Sequence, residues 1–388
     1  MLLIKGATVY APDCLGTKDV LQAGGKICAI RDSIEFGSDL PVEVLDGSGK
    51  LLLPGFIDSH VHILGGGGEG GYSTRTPELK LSDMVRAGIT TVVGCLGTDG
   101  ISRRMENLIA KAKQLKSEGV SCYLYTGSYD IPVRTFLSDI RSDMMFIEEI
   151  IGVGEIAISD HRSSQPTFEE FARIVADVRV GGMLSGKGGV VNIHLGDDKQ
   201  MLAYPERLLK ETTIPAYHMV PTHINRNPYL FQNGIEYAKN GGYVDSTTGS
   251  YFAFADEGEL KSSDALKQML DAGVPIENIT FSSDGQGSLP VFNEAGENIA
   301  LEISRIDTLY QEVRDCVQQE HIPLETALKT ITSNVADHLK LSRKGRVQEG
   351  CDADLVLVDA DSLEIQTVIA LGRVMMQDGA LLVKGNFE

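Results

Sequence analysis

Leu51-Leu52-Leu53-Pro54-Gly55-Phe56-Ile57-Asp58-Ser59-His60-Val61-His62 is an apolar run that ends in two histidines one residue apart. A strand alternates its side chains, so His60 and His62 project from the same face. Two imidazoles side by side at a strand end are a ready pair of metal ligands. The stretch that follows, Gly65-Gly66-Gly67-Gly68, has no side-chain bulk and lets backbone lie close against a bound molecule. The HxH pattern alone is a weak signal, because such pairs also occur in cores and on surfaces. Its meaning depends on the rest of the chain.

Outward from this run, strand-like and helix-like segments alternate. The strand-like stretches are 52–62, 90–96, 121–128, 151–159, 190–195, 217–225, 242–248 and 279–284. Helical patterns occupy 103–118, 168–178, 200–211, 229–240 and 260–272, with two more near 302–320 and 324–332. Eight apolar strands separated by helices predict an α/β protein with a parallel sheet and crossovers, most simply a (β/α)8 TIM-like barrel. The two chain ends differ from this middle. Both carry short β-like pieces, at 2–4, 20–23, 26–31 and 42–46, and at 354–358, 365–370, 373–376 and 381–383. Neither end can bury a core alone, so they are expected to meet in one small β-sandwich domain. The expected organisation is 1–51 and 346–388 as the two parts of that domain, and 52–345 as the barrel.

A chain of 388 residues can bury a large core, and 42% hydrophobic with 23% charged residues fits a soluble globular protein. A net charge of −19 argues against nucleic acid and anionic membrane as partners. No apolar run reaches the length of a membrane span. The opening Met1-Leu2-Leu3-Ile4-Lys5-Gly6 lacks the basic start and long apolar middle of a signal peptide. Six cysteines, at 14, 28, 95, 122, 316 and 351, are scattered without a CxxC. They read as reduced thiols of a cytoplasmic protein, mostly small core residues.

In such a barrel, reactive residues belong at the C-terminal ends of strands. His60 and His62 end the first, Glu155 lies in the fourth, His194 ends the fifth, His223 the sixth and Asp284 the eighth. Four of only eight histidines fall at such ends. His194 or His223 taken singly reads as a hydrogen-bonded core histidine, and Glu155 as a salt-bridge residue. Taken together they form a nitrogen- and carboxylate-rich set suited to Zn²⁺ or a similar divalent ion, enough for two metals sharing a bridging carboxylate. His161, His218, His321 and His338 are not at these positions and read as structural or supporting residues.

With these residues placed, the chain resembles the isoaspartyl (β-aspartyl) dipeptidases of the amidohydrolase superfamily. The resemblance is carried by Pro54-Gly55-Phe56-Ile57-Asp58-Ser59-His60-Val61-His62 and by Gly65–Gly68 with Glu69. It continues through Gly97-Thr98-Asp99, Thr126-Gly127-Ser128-Tyr129 and Ser159-Asp160-His161-Arg162-Ser163. Pro221-Thr222-His223-Ile224-Asn225-Arg226-Asn227, Ser282-Ser283-Asp284-Gly285-Gln286-Gly287-Ser288 and Gly350-Cys351-Asp352-Ala353-Asp354 complete it. The resemblance implies that His60, His62 and Asp284 hold one metal and His194 and His223 the other, with a hydroxide between them attacking the amide carbonyl. Asp284 would carry the proton to the leaving amine, and Tyr129 would donate to the carbonyl oxygen. Glu69 would pair with the substrate ammonium; Arg162, Arg226 and Ser288 would hold carboxylates; Gly67 and Thr98 would line the pocket. The implied substrate is a small dipeptide, and the implied assembly a homo-oligomer.

One departure stands out. The familiar members bridge their metals with a carboxylated lysine in strand four. Here that segment reads Ile151-Gly152-Val153-Gly154-Glu155, and no lysine occurs between Lys116 and Lys187. Glu155 is expected to bridge in its place. Glutamate is shorter than carboxylated lysine, so the backbone must come nearer, which Gly152 and Gly154 would permit. Competing expectations are an N-acyl amino-acid deacylase, a cyclic-amide hydrolase, or an inactive scaffold relative. A deacylase substrate has no ammonium to occupy Glu69, and a scaffold has no reason to keep the ligand set.

Overall fold

The structure is a computed structural model and describes residues 1–37, 41–255, 258–292 and 298–388. The run 51–62 is not one strand but two. Lys50–Pro54 belongs to a sheet built from the chain ends, and Phe56–Val61 opens the barrel. The break falls at Gly55. A Cβ there would lie 2.3 Å from Thr90 Oγ1, and the Gly55 N–H donates to the Asp354 carbonyl at 2.7 Å. Only glycine fits where the chain passes between the two sheets.

From Phe56–Val61 the barrel runs through Ile89–Gly94, Ser121–Thr126, Ile150–Ile158, Val190–Leu195 and Met219–Thr222, all paired in parallel. Val244–Thr247 and Ile279–Ser282 form a further parallel pair. Backbone bonds from Ile224 to Asp245 (3.3 Å) and from His62 to Gly285 (2.9 Å) join that pair to both edges of the six. This is the (β/α)8 barrel with the expected strands. Seven of these eight strands are buried along their whole length, Ser121–Thr126 being the exception, as a parallel sheet covered by helices requires. Two covering helices show why they start where they do. Phe168–Ser185 opens on a Thr167–Glu170 capping box, and Pro228–Lys239 opens with Asn227 accepting the Leu230 N–H at 2.9 Å and proline in its first turn.

The helix expected over 302–320 is shorter, Thr308–Gln318. The residues before it form a hairpin in which Asn298–Ile303 pairs antiparallel with Ser288–Phe292. Cross-strand pairing there supplies backbone partners that local helix propensity cannot outbid.

The chain ends meet in a nine-stranded sheet. Lys50–Pro54 lies between Leu2–Tyr10 and Leu355–Asp359, parallel to the first and antiparallel to the second. Leu2, Ile4, Val9, Val20, Ile27, Leu52, Leu355 and Leu357 bury a core of their own. Lys344, 4% exposed, fastens this sheet to the barrel: its Nζ reaches Asp354 Oδ2 (2.5 Å), Asp352 Oδ2 (2.9 Å) and Ser121 Oγ (2.7 Å). All six cysteines are free thiols, four of them buried. Among the described residues no helix is long and apolar enough to cross a membrane.

Candidate active site

Glu155 sits in Ile150–Ile158, between Gly154 and the apolar Ile156. A Cβ on Gly152 would lie 2.3 Å from the Val190 carbonyl oxygen, and one on Gly154 would lie 2.9 Å from Asn192 Cβ. Two glycines therefore let the fourth strand press against the fifth where the carboxylate emerges. The Glu155 side chain ends between two pairs of histidines. Its Oε2 is 3.3 Å from His60 Nε2 and 3.7 Å from His62 Nε2. Its Oε1 is 2.6 Å from His194 Nδ1 and 3.1 Å from His223 Nε2. Asp284 Oδ1 closes the first group, 3.0 Å from His62 Nε2 and 3.6 Å from His60 Nε2.

Both His60 ring nitrogens, Glu155 Oε2 and Asp284 Oδ1 are buried without a hydrogen-bond partner. Buried polar atoms are normally paired, so converging orphans of this kind fit divalent cations. Two sets of ligand atoms share Glu155: His60, His62 and Cys95 on one side, His194 and His223 on the other. Burial resists ionisation of Glu155, but His60, His194 and His223 outweigh it and hold the carboxyl well below its usual range. Burial pushes His223 down to about 3, leaving a neutral ring with a free lone pair at neutral pH.

Neighbouring groups fix the rings. His223 Nδ1 is 2.6 Å from Thr247 Oγ1, which turns Nε2 toward Glu155. His194 Nε2 is 2.9 Å from Asp160 Oδ2, which turns Nδ1 inward. Such partners set tautomer and orientation. Arg162 Nη2 in turn donates to Asp160 Oδ2 at 2.8 Å, and Arg226 Nη1 stands 3.8 Å from the same oxygen. Tyr129 places its hydroxyl 2.8 Å from His194 Nδ1, and burial raises its pKa well above the usual value, so it keeps its proton.

A cavity of about 510 Å³ opens above this cluster, and Gly67, Glu69, Thr98, Arg162, Arg226 and Ser288 all line it with Tyr129 and Asp284. These residues fall into two groups. Glu69 accepts from Thr98 Oγ1 at 2.8 Å, and Gly67 packs so tightly on Ser288 that a Cβ would come within 2.7 Å of the serine Cβ. Arg162 and Arg226 form the other group, gathered by Asp160. Arg162 Nη1 stands 3.6 Å from Glu69, between the two.

Three contributors were not singled out by the sequence. Asp160 is almost fully buried and holds both His194 and the arginines. Cys95 was read as a core thiol, yet its Sγ is 3.8 Å from His62 Nδ1; its place just past the second strand was the signal. Arg103 donates to the carbonyls of Leu64 (3.1 Å), Thr76 (3.2 Å) and Gly67 (3.4 Å), tying down the glycine loop. Of the other histidines, His161 stands exposed on the cavity wall, while His218 and His338 bond the carbonyls of Gly189 and Glu277. His321 is exposed. Lys187 donates to the Met144, Ile147 and Ile150 carbonyls, at the strand end opposite the site.

The amidohydrolase family model matches residues 51–375. The chain belongs to the amidohydrolase family. Within it, the chain resembles the β-aspartyl dipeptidase of Fervidobacterium islandicum AW-1, whose crystal structure in complex with a β-Asp-Leu dipeptide is 47% identical, covers 98% of both chains and has a TM-score of 0.90. An N-acetylglucosamine-6-phosphate deacetylase of Lysinibacillus sphaericus is 27% identical over 92% of this chain and 93% of its own. A dihydroorotase of Listeria monocytogenes is 39% identical over 29% of this chain, a match that spans only 26% of that protein's length.

Proposed function

We propose that this amidohydrolase cleaves β-aspartyl (isoaspartyl) dipeptides with two divalent metal ions, Zn²⁺ by default, bridged by Glu155. The observation that carries the reading is one carboxylate facing two histidine pairs, its oxygens divided between them, beneath a cavity whose wall sets the Glu69 carboxylate beside the Arg162 and Arg226 guanidinium groups. When bound, the ions polarise the scissile carbonyl and make water nucleophilic near neutral pH.

The residues do the rest. An isoaspartyl dipeptide carries an ammonium, an α-carboxylate on the aspartyl part and a carboxylate on the leaving residue. Glu69 takes the ammonium, and Ser288 with the Gly67 backbone takes the neighbouring carboxylate. Arg162 and Arg226 take the leaving residue's carboxylate, for which a guanidinium fork is the matching donor. Tyr129, kept protonated, donates to the carbonyl oxygen as negative charge develops on it. As water adds to the carbonyl carbon, Asp284 accepts its proton. Asp284 then delivers that proton to the amide nitrogen as the C–N bond breaks.

The test is hydrolysis of β-aspartyl-leucine beside α-aspartyl-leucine and N-acetyl-leucine on zinc-loaded protein. Cleavage of the β-linked dipeptide alone is expected. Cleavage of the acetylated compound instead would make it a deacylase and leave Glu69 without its ligand. Cytoplasmic location and self-association belong to the same reading, and light scattering tests the latter.

A further inference from the structure

The cavity is larger than the charged head of the substrate requires, and its surplus wall has a sign. The wall continues from Arg226 into Asn227, Pro228 and Tyr229, and Phe254, Asp197 and Glu259 line it as well. The Gly258 backbone is set against this helix start, since a Cβ there would lie 3.5 Å from Pro228 Cδ. The Leu260 N–H donates to the Asn225 carbonyl at 2.8 Å, a second tie between the two segments. Glu259 is 7% exposed and accepts the Ser250 hydroxyl at 2.5 Å. Asp197 stands at the exposed mouth and accepts Asn227 Nδ2 at 3.3 Å. Apart from Arg162, Arg226, His161 and the His62, His194 and His223 rings of the cluster below, no basic side chain lines the cavity among the described residues. His161 faces the arginine group, its Nδ1 3.7 Å from Asp160 Oδ1.

If the leaving residue's carboxylate is held by the two arginines, its own side chain points along this wall. The first part of the wall is apolar and aromatic, suited to a hydrocarbon stem. The two further charges are carboxylates. We propose that Asp197 and Glu259 make the leaving-residue subsite selective for basic side chains, lysine or arginine, and disfavour acidic ones. An ammonium or guanidinium gains Coulomb attraction from each carboxylate, and a carboxylate side chain is repelled by both. The inference rests on the dipeptidase reading and adds the class of leaving residue to it.

The experiment compares kcat/KM for β-Asp-Lys, β-Asp-Leu and β-Asp-Glu on the zinc-loaded protein, with Glu259→Gln and Asp197→Asn beside the wild type. The expected wild-type order is Lys above Leu above Glu, with a Lys-to-Glu ratio of about tenfold or more, a size one or two partly screened charge pairs supply. The ratio is carried by KM, shrinks with added salt, and falls in both variants. Asp197 is exposed, so Asp197→Asn keeps the test open if Glu259→Gln fails to fold. A wild-type ratio near one, or a ratio that both variants leave intact, overturns the subsite assignment while β-Asp-Leu cleavage still supports the dipeptidase. Cleavage of none of the three overturns both.

Discussion

Glu155 faces four imidazoles, and its reach is set by its neighbours rather than by its own length. Gly152 and Gly154 bring the fourth strand against Val190 and Asn192, which compensates for a side chain shorter than a carboxylated lysine. Replacing one oxygen of the proposed bridge tests this: Glu155→Gln should lower bound metal below two ions per chain, measured by elemental analysis, and cut kcat at least about 100-fold, the scale at which groups supporting a metal site count. Tyr129→Phe removes the proposed carbonyl-oxygen donor and leaves the proposed metal ligands in place. It should lower kcat by about 10²–10³ with metal content unchanged, the usual effect of deleting one oxyanion donor. That these side chains would come together was legible in the sequence, because they sit at strand ends, where period-two alternation fixes which way they point. Asp160 escaped because nothing in spacing distinguishes a buried orienting carboxylate from a turn aspartate; Cys95 escaped because thiols are common core residues, although its place just past the second strand marked it. Only contact with His194 and His62 shows what they do.

At the scale of elements, the joint between barrel and terminal sheet hangs on Lys344. Its ammonium lies between Asp352 and Asp354, both buried. Lys344→Met would leave the buried Asp354 without its ion pair and Asp352 with Lys26 alone, and should cost about 3–5 kcal/mol, read by urea unfolding. The pH dependence has a definite sign. Burial opposes ionisation of Asp352, but Lys344 and Lys26 outweigh it and hold its folded pKa below the usual carboxylate range. Its contribution is therefore present above that range and lost as pH falls through the depressed folded value. For Lys344, burial is outweighed by Asp354 and Asp352, and its folded pKa is raised, so its contribution persists below the usual lysine range and is lost as pH rises past the folded value. The stability gap between wild type and Lys344→Met should be widest around neutral pH and narrow in strong acid. At this scale the sequence was a good guide to which elements exist and a poorer one to where they break. Gly55 divides one apolar run between two sheets, and the hairpin of Ser288–Phe292 and Asn298–Ile303 takes residues that pattern alone assigns to a helix. The first outcome depends on strands far away in the chain, the second on a hairpin partner only a few residues away.

Over the whole molecule, the last strands also seal the barrel. Tyr310 stacks on Phe56 at 4.6 Å and donates to the Leu363 carbonyl at 3.0 Å, and Ile365 lies against Gly88. A chain ending after residue 350 would expose this apolar surface and leave Lys50–Pro54 with an open edge. It should aggregate on expression, with an increase in dye-binding hydrophobic surface in any soluble fraction. The same pairing governs how the protein is made. Lys50–Pro54 leaves the ribosome long before one of its two neighbours, Leu355–Asp359, is synthesised. Until that partner is made, Lys50–Pro54 keeps an unpaired edge open to other nascent chains. Holding such an edge in check until the later strand arrives is work for a chaperone, and a slow ribosome lengthens the exposure.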